Sequence, residues 1–189
     1  MRRNKGRILD EYLVACARDG DQRAFTQLVE RWQGKLLAHA FRLAGDREVA
    51  RDAVQDAWTD IARSLRKLRD TAAFPAWAYR IVTRRVADHI RKAQKRRALA
   101  TEIQEQPVDD TIMVDSIESN ADGIPLKQAI ATLPQGQRAV IALFYTEELS
   151  VAEISAVLSV PAGTVKTRLM NARRKLRQVL EGGNPNDRY

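Results

Sequence analysis

The chain has 189 residues, 44% of them apolar and 30% charged, with a net charge of +8. That length allows one core or two small ones, and the basic balance favours polyanionic partners. Cys16 is the only cysteine, which excludes a disulfide framework and a cysteine-ligated metal site.

No apolar run approaches the roughly 18 residues of a membrane span. The opening MRRNKGRILDEYL places no apolar stretch behind its basic residues, so neither membrane insertion nor a secretory signal is expected. A cytoplasmic location follows, with nucleoid association when active.

The charge is segmented. Residues 1–98 carry 23 Lys and Arg against 12 Asp and Glu, a balance of +11. Residues 99–123 carry seven acids and no base, and residues 124–189 carry nine bases against five acids. Two basic lobes joined by an acidic connector suit nucleic acid, although an acidic connector also serves to keep itself extended and soluble.

In chain order, a short helix is expected around Ile8 to Arg18. A second runs from Ala24 to Leu43, with Phe25, Leu28, Val29, Trp32, Leu36 and Ala40 forming an apolar stripe at helical spacing. Gly45 stops it and Asp46 caps a third helix, which reaches about Leu68 and buries Ala50, Ala53, Val54, Ala57, Ile61, Leu65 and Leu68. A fourth opens near Phe74, with Pro75 in its first turn, and runs to about Arg97. The segment after it has no sustained period and reads as a linker. Four more helices follow: Leu126–Leu133, Gln135–Tyr145, Ser150–Leu158, and one from about Pro161 to Glu181. The final GGNPNDRY reads as a disordered tail. The fold class is all-α: two small helical domains joined by an acidic flexible linker, the second ending in a helix-turn-helix.

Three surfaces stand out. In the last helix Val165, Leu169, Ala172 and Leu176 face inward, which leaves Lys166, Thr167, Met170, Asn171 and Arg174 on the outer side. Lys and Asn can read base edges, Thr or Met can touch a thymine methyl, and Arg173, Lys175 and Arg177 suit phosphates. Helix-turn-helix layouts place a second helix in the major groove, but a helical hairpin with a solvated basic face has the same pattern. On the fourth helix Arg80, Arg84, Arg91 and Lys95 track one face, widened by Arg85, Lys92, Arg96 and Arg97, with Phe74, Trp77 and Tyr79 at its start. Cations interleaved with rings suit single-stranded nucleic acid, although Phe74, Trp77 and Ile81 also make an ordinary core stripe. On the third helix Asp52, Gln55, Asp56, Thr59 and Asp60 share the outer side. A straight row of acids diverges rather than enclosing a cation, so a docking face for a basic protein is the sharper reading. His39 and His89 have no catalytic partner at a recognisable spacing, and neither an enzyme nor a cofactor or metal site is expected.

Taken together, these pieces resemble the extracytoplasmic-function group of bacterial RNA polymerase sigma factors. The resemblance spans about Ala24 to Leu180. It is carried in the second half by LP at 133–134, Arg138 and ELSVAEISAVLSVPAGTVKTRLMNARRKLR, and in the first by AFTQLVERW, VARDAVQDAW and FPAWAYRIVTRRVADHIRK. It implies a promoter minus-10 and core-polymerase domain over residues 1–98, the linker over 99–123, a minus-35-reading domain over 124–182, and the tail over 183–189. It further implies that Asp52, Gln55 and Asp56 dock on the polymerase clamp. The loop LRDTAAF, with Arg69, Asp70 and Phe74, would capture a flipped minus-10 base, while Arg80, Arg84, Asp88 and Arg91 meet that element. Lys166, Thr167, Arg168, Met170, Asn171 and Arg174 would read the minus-35 element. The implied partners are the clamp and flap of core RNA polymerase, promoter DNA as duplex and melted strand, and an anti-sigma factor. The linker would thread the polymerase until nascent RNA displaces it.

The family commonly has Arg-Asn where this chain has Thr83-Arg84, and an arginine in place of Asn171, so its promoter sequences do not carry over. Two other readings fit the residues: a stand-alone helix-turn-helix regulator that binds an operator unaided, and an interaction module that occupies another regulator. A side-chain amide pairs best with adenine in the major groove. Promoter variants should therefore show an adenine preference that Asn171→Ala abolishes; a preference unchanged in that variant refutes the assignment.

Overall fold

A computed structural model describes residues 5–101 and 124–180. The expected linker, apart from residues 99–101, and the expected tail lie outside the described residues. The chain divides into two compact units, taken separately below. No strand occurs among the described residues.

The first unit contains α1 (Lys5–Arg18), α2 (Gln22–Ala44), α3 (Arg47–Ser64) and α4 (Phe74–Thr101), with 3-10 turns at Leu65–Lys67 and Thr71–Ala73 between the last two. Each boundary has a local cause. Asp21 accepts hydrogen bonds from the N–H groups of Arg23 and Ala24, and Asp46 accepts from those of Glu48 and Val49, so both helices start at a carboxylate cap. Gly45 ends α2 at φ 73°, where it donates to the Phe41 carbonyl, a conformation that a Cβ would strain. α4 continues to Thr101, past the expected boundary at residue 98.

The core of this unit is the seam of α2, α3 and α4. α3 supplies Ala50, Ala53, Val54, Ala57 and Ile61, small enough for its neighbours to approach closely, and α4 supplies Phe74, Ala78, Tyr79, Val82 and Val86. Trp32 sits at the centre, edge-on to Phe74 at 5.1 Å and to Tyr79 at 5.8 Å. Two expectations need correction. Phe25 and Val29 are only half-buried, because they border α3 beside Trp58 rather than the seam; Ala24, Leu28 and His39 take the inner positions of α2. Trp77 and Ile81 are likewise half-buried, since the inner stripe of α4 runs through Ala78 and Val82.

His39 is fully buried, a costly place for a polar ring. The Thr83 hydroxyl donates to the Tyr79 carbonyl at 2.8 Å, so its oxygen must accept from His39 Nε2–H at 2.9 Å. That assigns the Nε2–H tautomer. Burial, reinforced by the positive charge of Arg42, pushes the His39 pKa from 6.5 down to about 3.

The second unit contains α5 (Ile124–Ala131), α6 (Gln135–Ile141) continued by a π-helical turn at Ala142–Thr146, α7 (Val151–Leu158) and α8 (Ala162–Leu180). Its core gathers Leu133, Val140, Leu143, Leu149, Ile154, Val165 and Leu169. The Arg138 guanidinium donates to the Ala131 carbonyl at 3.0 Å, satisfying an end-of-helix acceptor on α5. Ser150 and Glu153 exchange hydrogen bonds reciprocally at the start of α7, closing a capping box.

The buried imidazole makes stability pH-dependent. Between pH 6.5 and about 3 the unfolded chain binds a proton that native His39 does not, so stability falls as pH drops through that window. All three tryptophans, Trp32, Trp58 and Trp77, lie in the first unit, so their fluorescence reports its unfolding alone. Urea denaturation followed in this way should show a loss of about 1 kcal/mol from pH 7 to pH 5.5. His39→Leu should remove most of that difference.

Candidate nucleic-acid interface

In the second unit the turn between α7 and α8 is closed by its own backbone. Ser155 donates through its hydroxyl to the Val160 carbonyl at 2.6 Å, and the Val160 N–H returns to the Ser155 carbonyl at 3.2 Å. Ser159 accommodates the tight connection at φ 53°. Pro161 precedes α8 and its carbonyl accepts from the Val165 N–H, which sets the direction in which α8 leaves the turn.

With Val165, Leu169 and Ala172 buried, the opposite face of α8 presents Lys166, Thr167, Met170 and Arg174, and Met170 is 60% exposed. Such an open apolar side chain, flanked by a lysine and a hydroxyl, is able to touch a thymine methyl. Asn171 is half-buried and its Oδ1 accepts from Arg174 at 3.4 Å. Arg168 departs from the group. It is half-buried on the other flank of α8, where its guanidinium lies against Gly136, and a Cβ there would come within 3.2 Å of it. Arg173, expected to meet phosphate, donates to the Tyr145 hydroxyl at 2.7 Å and lies over the Phe144 and Tyr145 rings.

In the first unit α4 carries Arg80, Arg84, Arg91 and Lys95 on its exposed side. Arg85 does not widen that row. It turns to α3 and grips Asp60 with two hydrogen bonds of 2.6 Å, which hold the Asp60 carboxyl below the usual range. His89 is half-buried against Asp56, with Nε2 2.9 Å from the carboxylate. The acidic row expected to lie open on α3 is therefore divided: Asp52 and Gln55 are exposed, whereas Asp56 and Asp60 are half-buried cross-links to α4. Asp88 is half-buried and paired with Arg91. Beside Gln55 runs an open groove lined by Val29, Gln33, Trp58, Thr59 and Ala62, in which the Trp58 indole donates to Gln33 Oε1.

The loop between α3 and α4 exposes Arg69 and Asp70. Asp70 caps the following 3-10 turn by accepting from the Ala72 N–H at 2.9 Å. Phe74 is completely buried against Trp32, so it anchors the loop and offers no surface to a ligand.

Comparison with known proteins bears on both units. The family model described as Sigma-70 region 2 matches residues 28–96, and that described as Sigma-70, region 4 matches residues 124–176. The ECF RNA polymerase sigma factor SigW of Bacillus subtilis is 31% identical over 176 residues, covering 88% of this chain and 94% of its own. The ECF RNA polymerase sigma-E factor of Escherichia coli K12 is 31% identical over 182 residues, covering 88% and 91%. The chain belongs to the extracytoplasmic-function sigma factors. Among solved structures, CnrH in complex with the cytosolic domain of CnrY matches 93% of this chain and 99% of its own at 29% identity and a TM-score of 0.57. RpoE from Bartonella quintana, bound to the anti-sigma factor NepR, shares the fold with a TM-score of 0.64 at 22% identity, covering 85% and 98%.

As a sigma factor the protein is a transcription initiation factor and not an enzyme: it binds RNA polymerase and confers promoter choice. Among the described residues no helix is long and apolar enough to cross a membrane. Several features of this sigma factor escape sequence inspection: the Trp58 groove, the two cross-links between α3 and α4, and the Arg173–Tyr145 stack. Only Trp58 leaves a trace, as a large ring just off the inward stripe of α3.

If Phe74 is an anchor, Phe74→Ala should destabilise the first unit by about 3–5 kcal/mol. Tryptophan-monitored urea unfolding measures this. A variant of native stability that nonetheless fails on promoter DNA would instead make Phe74 a contact residue.

Proposed function

We propose that the two units divide promoter recognition. The second, over residues 124–182, reads the minus-35 element through Lys166, Thr167, Met170, Asn171 and Arg174, with Arg168 bracing α8 from behind. The first, over residues 1–98, uses Arg69 and Asp70 at the minus-10 base and Arg80, Arg84 and Arg91 along the adjacent strand, with Asp88 orienting Arg91. Asp52, Gln55 and the neighbouring groove dock on the polymerase clamp, and Asp56 supports that face from its bond to His89. The flap is the partner of the second unit, and residues 99–123 thread the polymerase.

The observation that carries this reading is the outer face of α8. Lys166, Thr167 and Met170 are exposed at its N-terminal end while Val165 and Leu169 hold the helix in place, and readers at that end match a helix entering the major groove. In the first unit Asp52 and Gln55 are exposed on α3 and a cationic row is exposed on α4. Regulation by an anti-sigma factor fits as well, since both CnrH and RpoE from Bartonella quintana were solved with a bound partner. The protein acts in the cytoplasm and joins the nucleoid when active.

Titration into core RNA polymerase, read by mass photometry, tests the docking face. A one-to-one complex should form at sub-micromolar concentration. Asp52→Arg, at an exposed position with no core role, should weaken it by about tenfold or more through charge repulsion. Unchanged affinity in this variant moves the docking surface off α3.

A further inference from the structure

α1 precedes the segment matched by the region 2 model, which begins at residue 28, so no role attaches to it from the comparisons. Its position is nevertheless firmly set. Leu13 and Val14 are buried against α2, and Arg31 on α2 donates through Nε to the largely buried Asp10 at 2.8 Å. Its C-terminal end is locked by a tight turn in which the N–H groups of Asp19, Gly20 and Asp21 return to the carbonyls of Ala15, Ala17 and Cys16, with Gly20 at φ 105°.

The side chain at that locked end is Arg18. Its Nη1 donates to the carbonyls of both Leu68 and Arg69, each at 3.4 Å. α1 also packs against the 3-10 turns on either side of these residues. The loop from Leu68 to Phe74 is also held by the two buried side chains at its ends, by the Asp70 cap, and by bonds from the Leu68 N–H to the Leu65 carbonyl and from the Ala73 N–H to the Asp70 carbonyl. Arg18 adds a side-chain tie from outside the loop. Its two hydrogen bonds engage the backbone at the point where the exposed side chains of Arg69 and Asp70 begin.

We propose that Arg18 is a positioning residue for promoter discrimination, holding the 68–73 backbone in the conformation that selects the flipped minus-10 base. This rests on the assignment of that loop to base capture. Ordering the loop before DNA arrives removes an entropic cost that would otherwise fall equally on right and wrong bases, and it fixes the geometry by which they differ. Arginine suits the task because one guanidinium can serve two carbonyls while its stem packs between helices.

The test uses the full chain assembled with core polymerase, and single-stranded minus-10 oligonucleotides varied one base at a time. Wild type should show a base preference that Asp70→Ala removes; absence of any preference in wild type overturns the loop assignment and the positioning role with it. Given that preference, Arg18→Ala should lower the ratio of best to worst base by about fivefold while leaving core affinity unchanged. Arg18→Lys should restore part of the ratio. Amide hydrogen exchange in residues 69–73 should accelerate in Arg18→Ala, with the tryptophan-monitored unfolding midpoint little changed. If Arg18→Ala does not fold, Arg18→Met keeps the stem without the donors and carries the same expectation. An undiminished ratio in a folded variant, or a ratio that falls only as the unfolding midpoint falls, overturns the proposal.

Discussion

The first unit depends on one contact, the close packing of α3 on α4. Ala50, Ala53 and Ala57 on α3 and Ala78, Val82 and Val86 on α4 are all buried, and the two helices approach along an apolar seam. Such a seam specifies little by itself, because small side chains tolerate sliding. The register is specified at its edge, where Arg85 grips Asp60 with two short hydrogen bonds and His89 meets Asp56. Arginine and carboxylate interlock only in the matching geometry, so a shift of one residue would lose both bonds. Because these groups remain partly exposed, they contribute more to alignment than to stability.

That alignment decides the charge pattern of the surface. Asp56 and Asp60 on α3 are spent on cross-links, while Asp52 and Gln55 stay exposed, with Arg51 and Arg63 exposed on the same helix. On α4, Arg85 is spent in the same way while Arg80 and Arg84 remain open. The residues nearest the seam neutralise one another, whereas α3 further out exposes both signs, Arg51 and Arg63 as well as Asp52. Contact with DNA through the open arginines would weaken as salt rises, because each phosphate neutralised releases counterions.

The course of the helices was legible from the amino acids. Caps at Asp46 and Ser150, the stop at Gly45 and the 3.6-residue stripe of α3 all act within one turn, the range over which sequence spacing reports structure. Legibility ended where helices meet. Arg18 reaches carbonyls 50 and 51 residues away, Asp60 and Arg85 are separated by 25, and Arg173 and Tyr145 by 28. Periodicity places such residues on a face without saying whether the face is solvent or a neighbour's edge. Arg85 and Asp56, which spacing places on open faces, are cross-links for that reason, and Phe74, whose aromatic ring fits a stacking platform and a core equally well, is buried. His39 shows the same gap from the inside: its burial follows from helical spacing with Trp32 and Leu36, but the hydroxyl that satisfies it sits on α4.

In the second unit the same constraint is met with fewer residues. A core of nine buried Leu, Ile and Val side chains among the described residues stabilises a domain of this size only modestly, and polar closures add to it at several helix ends. Arg138 caps α5, the Ser150–Glu153 box opens α7, and Ser155 joins hands with Val160 across the turn. None of these groups lies on the outer face of α8. With the stabilising polar groups behind the helix, Lys166, Thr167 and Met170 carry no part of the core, so substitution there leaves the fold undisturbed. Asn171 stands beside them, half-buried at the rim of α8, with Leu169 and Ala172 in place beneath it.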